Sequence, residues 1–246
     1  MLSISIIQII NIFLFFIIIY ILLQKNTSLE TYISKINYNI YYINLIDRKD
    51  RKKELLNELY NCNVPKSRIF RINAIRKKLG SYGCLLSHIK TLEKAKKDNI
   101  DYAVIFEDDF TFNKKVSITN IIKNLSDLNW DVCLLSGNTI QLLDNIKTNI
   151  YKVNNSQTAS GYIIKKNYLP ILLHFLKNTL RDNKEGINYN TIESCKKLNE
   201  CPYTEPIDIS WKKLQKKDNW LIIHPTIGYQ RKSYSDIEKK IVDYKV

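Results

Sequence analysis

The chain has 246 residues, room for one domain of ordinary size and a short appendage. Apolar residues make up 45% and charged residues 25%, near a globular average, which excludes disordered and collagen-like chains. The 38 Lys and Arg outnumber the 24 Asp and Glu, leaving a net charge of +14 that favours an anionic partner: nucleic acid, an acidic membrane surface or a phosphorylated small molecule. Composition does not choose among these three, and a codon bias towards Lys, Asn and Ile would produce the same excess.

From Ile6 to Leu23 the chain reads IIQIINIFLFFIIIYILL, with no charged side chain. As a helix rising about 1.5 Å per residue, this run spans roughly 27 Å, close to the thickness of a hydrocarbon core. A cleaved signal peptide would show a basic start, a shorter apolar run and small residues at a cutting site, and it shows none of them. A buried core helix would not need apolar residues on every face. The expectation is a single-pass membrane anchor over residues 1–24, followed by a polar tether over 25–37. Lys25 and Lys35 follow the span and no basic residue precedes it, so the positive-inside rule turns the body towards the cytosol.

Residues 38–246 alternate strand and helix signals. Tyr38 to Ile46 (YNIYYINLI) is β-branched and aromatic over a strand's length, and the charged DRKDRKK ends it. Arg51 to Cys62 carries Leu55, Leu56 and Leu59 at helical spacing. Arg68 to Ala74 is a second short strand. Gly80-Ser81-Tyr82-Gly83 breaks the chain before CLLSHIKTLEKAKK, an amphipathic helix with Leu85, Ile89 and Leu92 on one side. Asp101 to Phe106 (DYAVIF) reads as a buried strand closed by acids. A polar helix comes next over Ser117 to Leu128, then strands at Trp130 to Leu135, at Tyr151 and at Gly161 to Ile164, and a helix from Tyr168 to Lys177. An Asn-rich loop leads to Glu205, a last helix covers Asp208 to Lys217, and Trp220 to His224 is a last strand. Strands alternating with helices of about ten residues predict an α/β fold, its sheet mostly parallel and covered on both faces. Walker and dinucleotide fingerprints are absent, as are internal repeats. The five cysteines lack metal-site spacing, and Cys195 and Cys201 read equally as a bridge or as free thiols.

Three stretches carry chemistry. Glu107-Asp108-Asp109 comes directly after a buried strand, where ligands collect in open α/β sheets. Adjacent carboxylates repel one another unless a cation neutralises them, and oxygen ligands completed by substrate phosphate suit Mg²⁺ or Mn²⁺. A solvated acidic turn is the competing reading. Alternation along an extended backbone points Glu107 and Asp109 one way and Asp108 the other. In Gly83-Cys84-Leu85-Leu86-Ser87-His88, a glycine opening a helix would present free N–H groups to an anion, with Ser87 and His88 beside it; a structural role for that histidine is equally open. Asp208, after Pro206-Ile207, is either a helix cap or a rigidly held base. His224, at the end of the last strand, is either a core residue or a further metal ligand.

INLIDRKDR, GCLLSH, AVIFEDD, SGYIIKK and EPIDI stand in the order found in glycosyltransferase family 25, and the chain resembles that family from about Tyr38 to the QRKSYSDIE stretch. The family includes bacterial lipooligosaccharide galactosyltransferases and collagen hydroxylysine galactosyltransferases, and similar single-domain enzymes occur among large eukaryotic DNA viruses. The resemblance implies a GT-A-like fold over residues 38–246: a nucleotide-sugar-binding sheet, mixed and mostly parallel, with a D-x-D-type metal site and an inverting transfer. It implies a UDP-sugar donor, most of all UDP-galactose, a Mn²⁺ or Mg²⁺ cofactor, and as acceptor a hydroxyl of a glycan or protein, collagen-like hydroxylysine included. On this sequence Glu107 and Asp109 take the ends of the E-x-D pattern, with Asp108 beside them. Asn44, Arg48 and Arg51 would border the nucleotide, Ser87 and His88 would lie near the donor, and Asp208 would face the acceptor. Where the collagen enzymes are richer in acids, Ile209-Ser210-Trp211-Lys212 comes after Asp208 here.

Transfer with inversion needs a cation at the leaving diphosphate and a carboxylate to take the acceptor's proton. Asp208 is the expected base, with Glu205 in reserve. A membrane-tethered binding protein for polyanions, built on a decayed transferase fold, is the alternative; no stripe of aromatics interleaves with the Lys runs, so nucleic acid is not expected as a partner. A glycoside hydrolase would use two carboxylates without a diphosphate metal site.

Overall fold

The computed structural model describes residues 12–23, 36–139, 142–185, 205–235 and 240–243. Residues 12–23 form a helix, α1, within a unit of its own, Met1–Ile36. Its apolar side chains, Phe13, Phe15, Phe16 and Ile18 among them, are exposed. Among the described residues no helix is long and apolar enough to cross a membrane. Residues 6–11 of the expected span lie outside the described residues, as do nearly all of the tether, the Asn-rich stretch over 186–204 and both Cys195 and Cys201.

The body, Asn37–Val246, is built on an eight-stranded sheet. In chain order its strands are β1 (Tyr38–Asn44), β2 (Ile69–Asn73), β3 (Tyr102–Glu107), β5 (Val132–Leu134), β7 (Asn145–Lys147), β8 (Ile150–Lys152), β10 (Gly161–Lys165) and β11 (Trp220–Ile223). Short pairs lie outside it: β4 (Phe110–Phe112) with β12 (Gly228–Gln230), β6 (Asn138–Thr139) with β9 (Ser156–Gln157), and β13 (Ser233–Ser235) with β14 (Lys240–Val242). The order across the sheet is β2-β1-β3-β10-β5-β11-β8-β7. Strands β2, β1, β3, β5 and β11 run one way, whereas β10 enters between β3 and β5 antiparallel to both, and β8 is antiparallel to β11. The sheet is thus mixed, with its parallel strands forming the main direction.

Alternation along the strands fills two apolar layers. Tyr41, Ile43, Ala103, Ile105, Tyr162 and Ile164 pack with Leu85, Ile89 and Leu92 of α3 (Gly80–Asp98) and with Leu172 and Leu176 of α5 (Leu169–Glu185). The intervening Ile40, Tyr42, Val104, Phe106 and Ile163 are buried on the other face. There Tyr38 reaches Thr119 of α4 (Ile118–Leu125), and Glu58 of α2 (Lys49–Asn61) accepts the Phe112 N–H.

Two elements depart from expectation. Helix α3 begins at Gly80, four residues before the expected start at Cys84, so Gly83 lies inside it and donates its N–H to Leu79 O at 3.2 Å. Glycine is needed at 83 because a Cβ there would sit 2.5 Å from Ile75 O. His88 consequently falls in the third turn of the helix. The expected last helix is two short ones, α6 (Ile207–Ser210) and α7 (Lys212–Lys217), joined at Trp211, which is fully buried with its ring 5.4 Å from Tyr162 and 5.1 Å from Trp220.

Candidate functional site

Strands β1 and β3 are parallel neighbours at which the strand order reverses: β1 is followed by β2 on one side of the pair, and β3 by β5 on the other, beyond β10. Such a switch point opens a crevice beyond the strand ends. Here it is a cleft lined by Glu107, Asp108 and Asp109. Ile43, Leu45, Ala74 and Ile75 make an apolar wall, Arg76, Lys77 and Gly80 a cationic rim at the start of α3, and Gln230, Ser235 and Val242 come from the C-terminal segment.

The three acids do not converge. β3 ends at Glu107, and residues 108–109 form a turn, so strand alternation does not govern where their side chains go. Glu107 turns towards α3, where its Oε1 lies 3.1 Å from His88 Nε2 and 3.6 Å from Cys84 Sγ. Asp108 and Asp109 both turn to Arg51, whose Nη1 donates to Asp108 Oδ1 and Asp109 Oδ2 at 3.0 Å each. Asn44 Nδ2 donates to Asp108 Oδ2 at 2.7 Å, and Gln230 Nε2 to Asp109 Oδ2 at 3.2 Å. Asp109 Oδ1 is buried with no hydrogen-bond partner among the described residues.

The electrostatics reflect this packing. Burial, then the charge of Glu107, pushes the Asp109 carboxyl up to about 7 in spite of its ion pair, because one guanidinium serves two carboxylates. Asp108 is raised as well, chiefly by burial, with Arg51 and Asn44 acting against it. Glu107 is half-buried; burial acts to raise its carboxyl, but the His88 hydrogen bond, helped by Cys84 and Arg51, outweighs it and holds the group below the ordinary carboxylate range. Burial pushes the Cys84 thiol far up, and Glu107 adds to the effect.

The divalent cation implied by the resemblance fits these residues. Asp109 Oδ1, an ionisable oxygen buried with no partner among the described residues, is a donor of the kind Mg²⁺ or Mn²⁺ prefers, and the carboxylates of Asp108 and Glu107 line the same cleft although they turn to Arg51 and His88. Among the described residues the grouping whose donor atoms lie within 4.8 Å of one another is Cys84, His88 and Glu107, a softer set suited to zinc.

The other expected site residues divide between the cleft and its surroundings. Arg51 lines the cleft, but its Nη2 goes to the C-terminal segment, donating to Ser233 Oγ at 2.6 Å and Tyr234 O at 2.8 Å. Arg48 pairs with Asp50 at 3.0 Å and donates to Tyr234 O. Ser87 lines the cleft, although its hydroxyl is committed to the backbone: it donates to Gly83 O at 2.7 Å and accepts the Ile75 N–H at 2.8 Å, pinning the rim loop to α3. Asp208 does not cap its own helix; its Oδ2 accepts the Thr158 N–H at 3.0 Å, and burial together with the Glu107 charge raises its carboxyl. Glu205 is half-buried. His224 does not join the acids. It comes after β11, three strand spacings or about 14 Å from β3, and its ring meets Tyr151 edge-on.

Sequence reasoning passed over Cys84, Arg76, Lys77, Tyr162 and Gln230. The basic run at 76–78 after a strand was a legible signal for Arg76 and Lys77, whereas Tyr162 and Gln230 arrive through long-range pairings that leave no local mark.

Set against known proteins, the chain matches the family model for glycosyltransferase family 25 (LPS biosynthesis protein) over residues 35–184. No curated protein matches it. Among solved structures it is similar to A197 from STIV, at 10% identity and TM-score 0.47, covering 84% of this chain and 93% of that one. It is similar to a glycosyltransferase involved in the glycosylation of the major capsid of PBCV-1, at 12% identity and TM-score 0.40, covering 76% and 93%. A third is mannose-1-phosphate geranyltransferase from Thermus thermophilus, at 10% identity and TM-score 0.46, covering 80% and 74%.

Proposed function

The chain belongs to glycosyltransferase family 25 and is a glycosyltransferase, and from that premise we propose that it moves a sugar from a UDP-sugar to a hydroxyl of a glycan or protein, with inversion and with Mn²⁺ or Mg²⁺. Galactose is the proposed sugar, as in the enzymes whose motifs it shares. One observation carries the reading: a buried carboxylate oxygen without a hydrogen-bond partner among the described residues, that of Asp109, a residue lining a cleft that also holds Arg76 and Lys77.

Asp109, with Asp108 or Glu107 assisting, would hold the cation, which when bound stabilises the charge of the leaving diphosphate. Arg76, paired with Asp47 at 2.7 Å, and Lys77 would bring positive charge to the same diphosphate. The apolar wall of Ile43, Leu45, Ala74 and Ile75 suits the face of a nucleobase. Asp208 takes the acceptor's proton, and its raised carboxyl makes it a stronger base than an exposed aspartate. Attack from the face opposite the leaving group inverts the sugar carbon in one displacement. The test is UDP release by the detergent-solubilised full chain with a panel of UDP-sugars and Mn²⁺. UDP-galactose should be consumed, chelator should stop turnover, and Asp208→Asn should lower kcat about 10²- to 10⁴-fold with donor binding kept. Turnover unaffected by chelator would remove the cation from the mechanism.

We further propose that the uncharged run over residues 6–23 anchors the chain in a membrane as a single pass. The all-round apolar composition of that run and the exposed apolar side chains of α1 support it. The full chain should stay with membranes in alkaline carbonate, and deleting residues 1–24 should release it; extraction of the full chain by carbonate would contradict the anchor.

A further inference from the structure

His88 is completely enclosed, on the third turn of α3, and cannot touch a donor in the cleft. Its two ring nitrogens are nevertheless both engaged: Nδ1 lies 3.0 Å from the Tyr162 hydroxyl and Nε2 lies 3.1 Å from Glu107 Oε1. Tyr162, itself fully buried, is held in β10 opposite Ile105 and wedged edge-on against Trp211. With its O–H donated to Nδ1, the imidazole keeps its proton on Nε2 and donates it to Glu107. Cys84 brings a second donor to the same carboxylate oxygen at 3.6 Å. Both donors act on Oε1, and Glu107 still lines the cleft, so Oε2 is the oxygen left for a ligand.

Resting on the function proposed above, we propose that His88, oriented by Tyr162, is a positioning residue: it pins Glu107 Oε1 to α3 so that Oε2 is presented to the donor's cation. The role belongs to a buried pair that acts through Glu107, in place of the direct donor contact expected for His88.

The experiment is a Mn²⁺ titration of the full chain with UDP present, comparing wild type with His88→Ala, His88→Gln and Tyr162→Phe, beside melting temperatures, UDP affinity without metal and zinc content. Removing a partner of this kind lowers metal affinity about 10- to 100-fold, the loss expected for His88→Ala, with Tyr162→Phe at the lower end of that range. His88→Gln should recover much of the loss, because its amide N–H takes the place of Nε2–H, and UDP affinity without metal should not move in any variant. Should His88→Ala fail to fold, Tyr162→Phe and His88→Gln decide. Wild-type Mn²⁺ affinity in folded His88→Ala or Tyr162→Phe overturns the inference, as does stoichiometric zinc in the purified wild type, which would make Cys84, His88 and Glu107 ligands in their own right. A wild type that binds no Mn²⁺ with UDP overturns the cation reading as well, and is recognised by failing before any variant is compared.

Discussion

Arg51 Nη1 serves two carboxylates at once, Asp108 Oδ1 and Asp109 Oδ2, each at 3.0 Å. A single positive charge divided between two buried acids, with Glu107 a third, leaves Asp109 raised from an ordinary 3.8 to about 7. Between about pH 4 and pH 7 the folded chain therefore keeps a proton that the unfolded chain has released, so Asp109 lowers stability progressively as pH rises, with the full loss present above about 7. In chelator, Asp109→Asn removes this penalty, on the order of a few kcal/mol. The variant's advantage in melting temperature should grow from pH 4 to pH 7 and then level off. Added Mn²⁺ should reverse the order by stabilising only the wild type. Melting curves between pH 4 and 8, with and without metal, check both; parallel wild-type and variant profiles would show that Asp109 does not titrate in this range.

At the scale of elements, strands β1, β3, β5 and β11 were legible because each is a short β-branched or aromatic run between charged or turn-forming residues, and α2 and α3 because their leucines recur at helical spacing. The direction of β10 was not legible. Periodicity marks Gly161–Lys165 as buried on both faces but says nothing about which way it pairs, and the chain sets it antiparallel between β3 and β5. The start of α3 was misread for a local reason: Gly80 and Gly83 look like a turn, yet Gly83 serves the close approach of the Ile75 carbonyl to the helix. That same approach lets Ser87 reach Ile75 N–H, so the loop bearing Arg76 and Lys77 is fixed by a glycine and a serine that read as helix-breaker and donor ligand. The acids were found because they come directly after β3, but their divergence was not, since it depends on Arg51 and His88 arriving from two different helices.

For the whole molecule, the sheet and the site are completed by different parts of the chain. The last strand of the sheet ends at Ile223, and the chain beyond it folds back over the strand ends. β12 pairs with β4 directly after the acidic turn, and Arg231 N–H donates to Asp109 O at 2.8 Å. β13 then supplies Ser233 Oγ and Tyr234 O to Arg51, while Ser235 and Val242 close one side of the cleft. These residues lie beyond the 35–184 stretch that carries the family match. Deleting residues 233–246 leaves every strand of the eight-stranded sheet in place but takes two acceptors from Arg51. Hydrogen bonds to a charged group are each worth about 1.5–3 kcal/mol, and the guanidinium that neutralises Asp108 and Asp109 would lose what orients it. The truncated chain should keep its far-UV circular dichroism and lose about tenfold or more in affinity for UDP with Mn²⁺, as read by titration calorimetry. Undiminished affinity would mean that the donor lies against α3 and the β2 loop alone, with the C-terminal segment facing the acceptor instead.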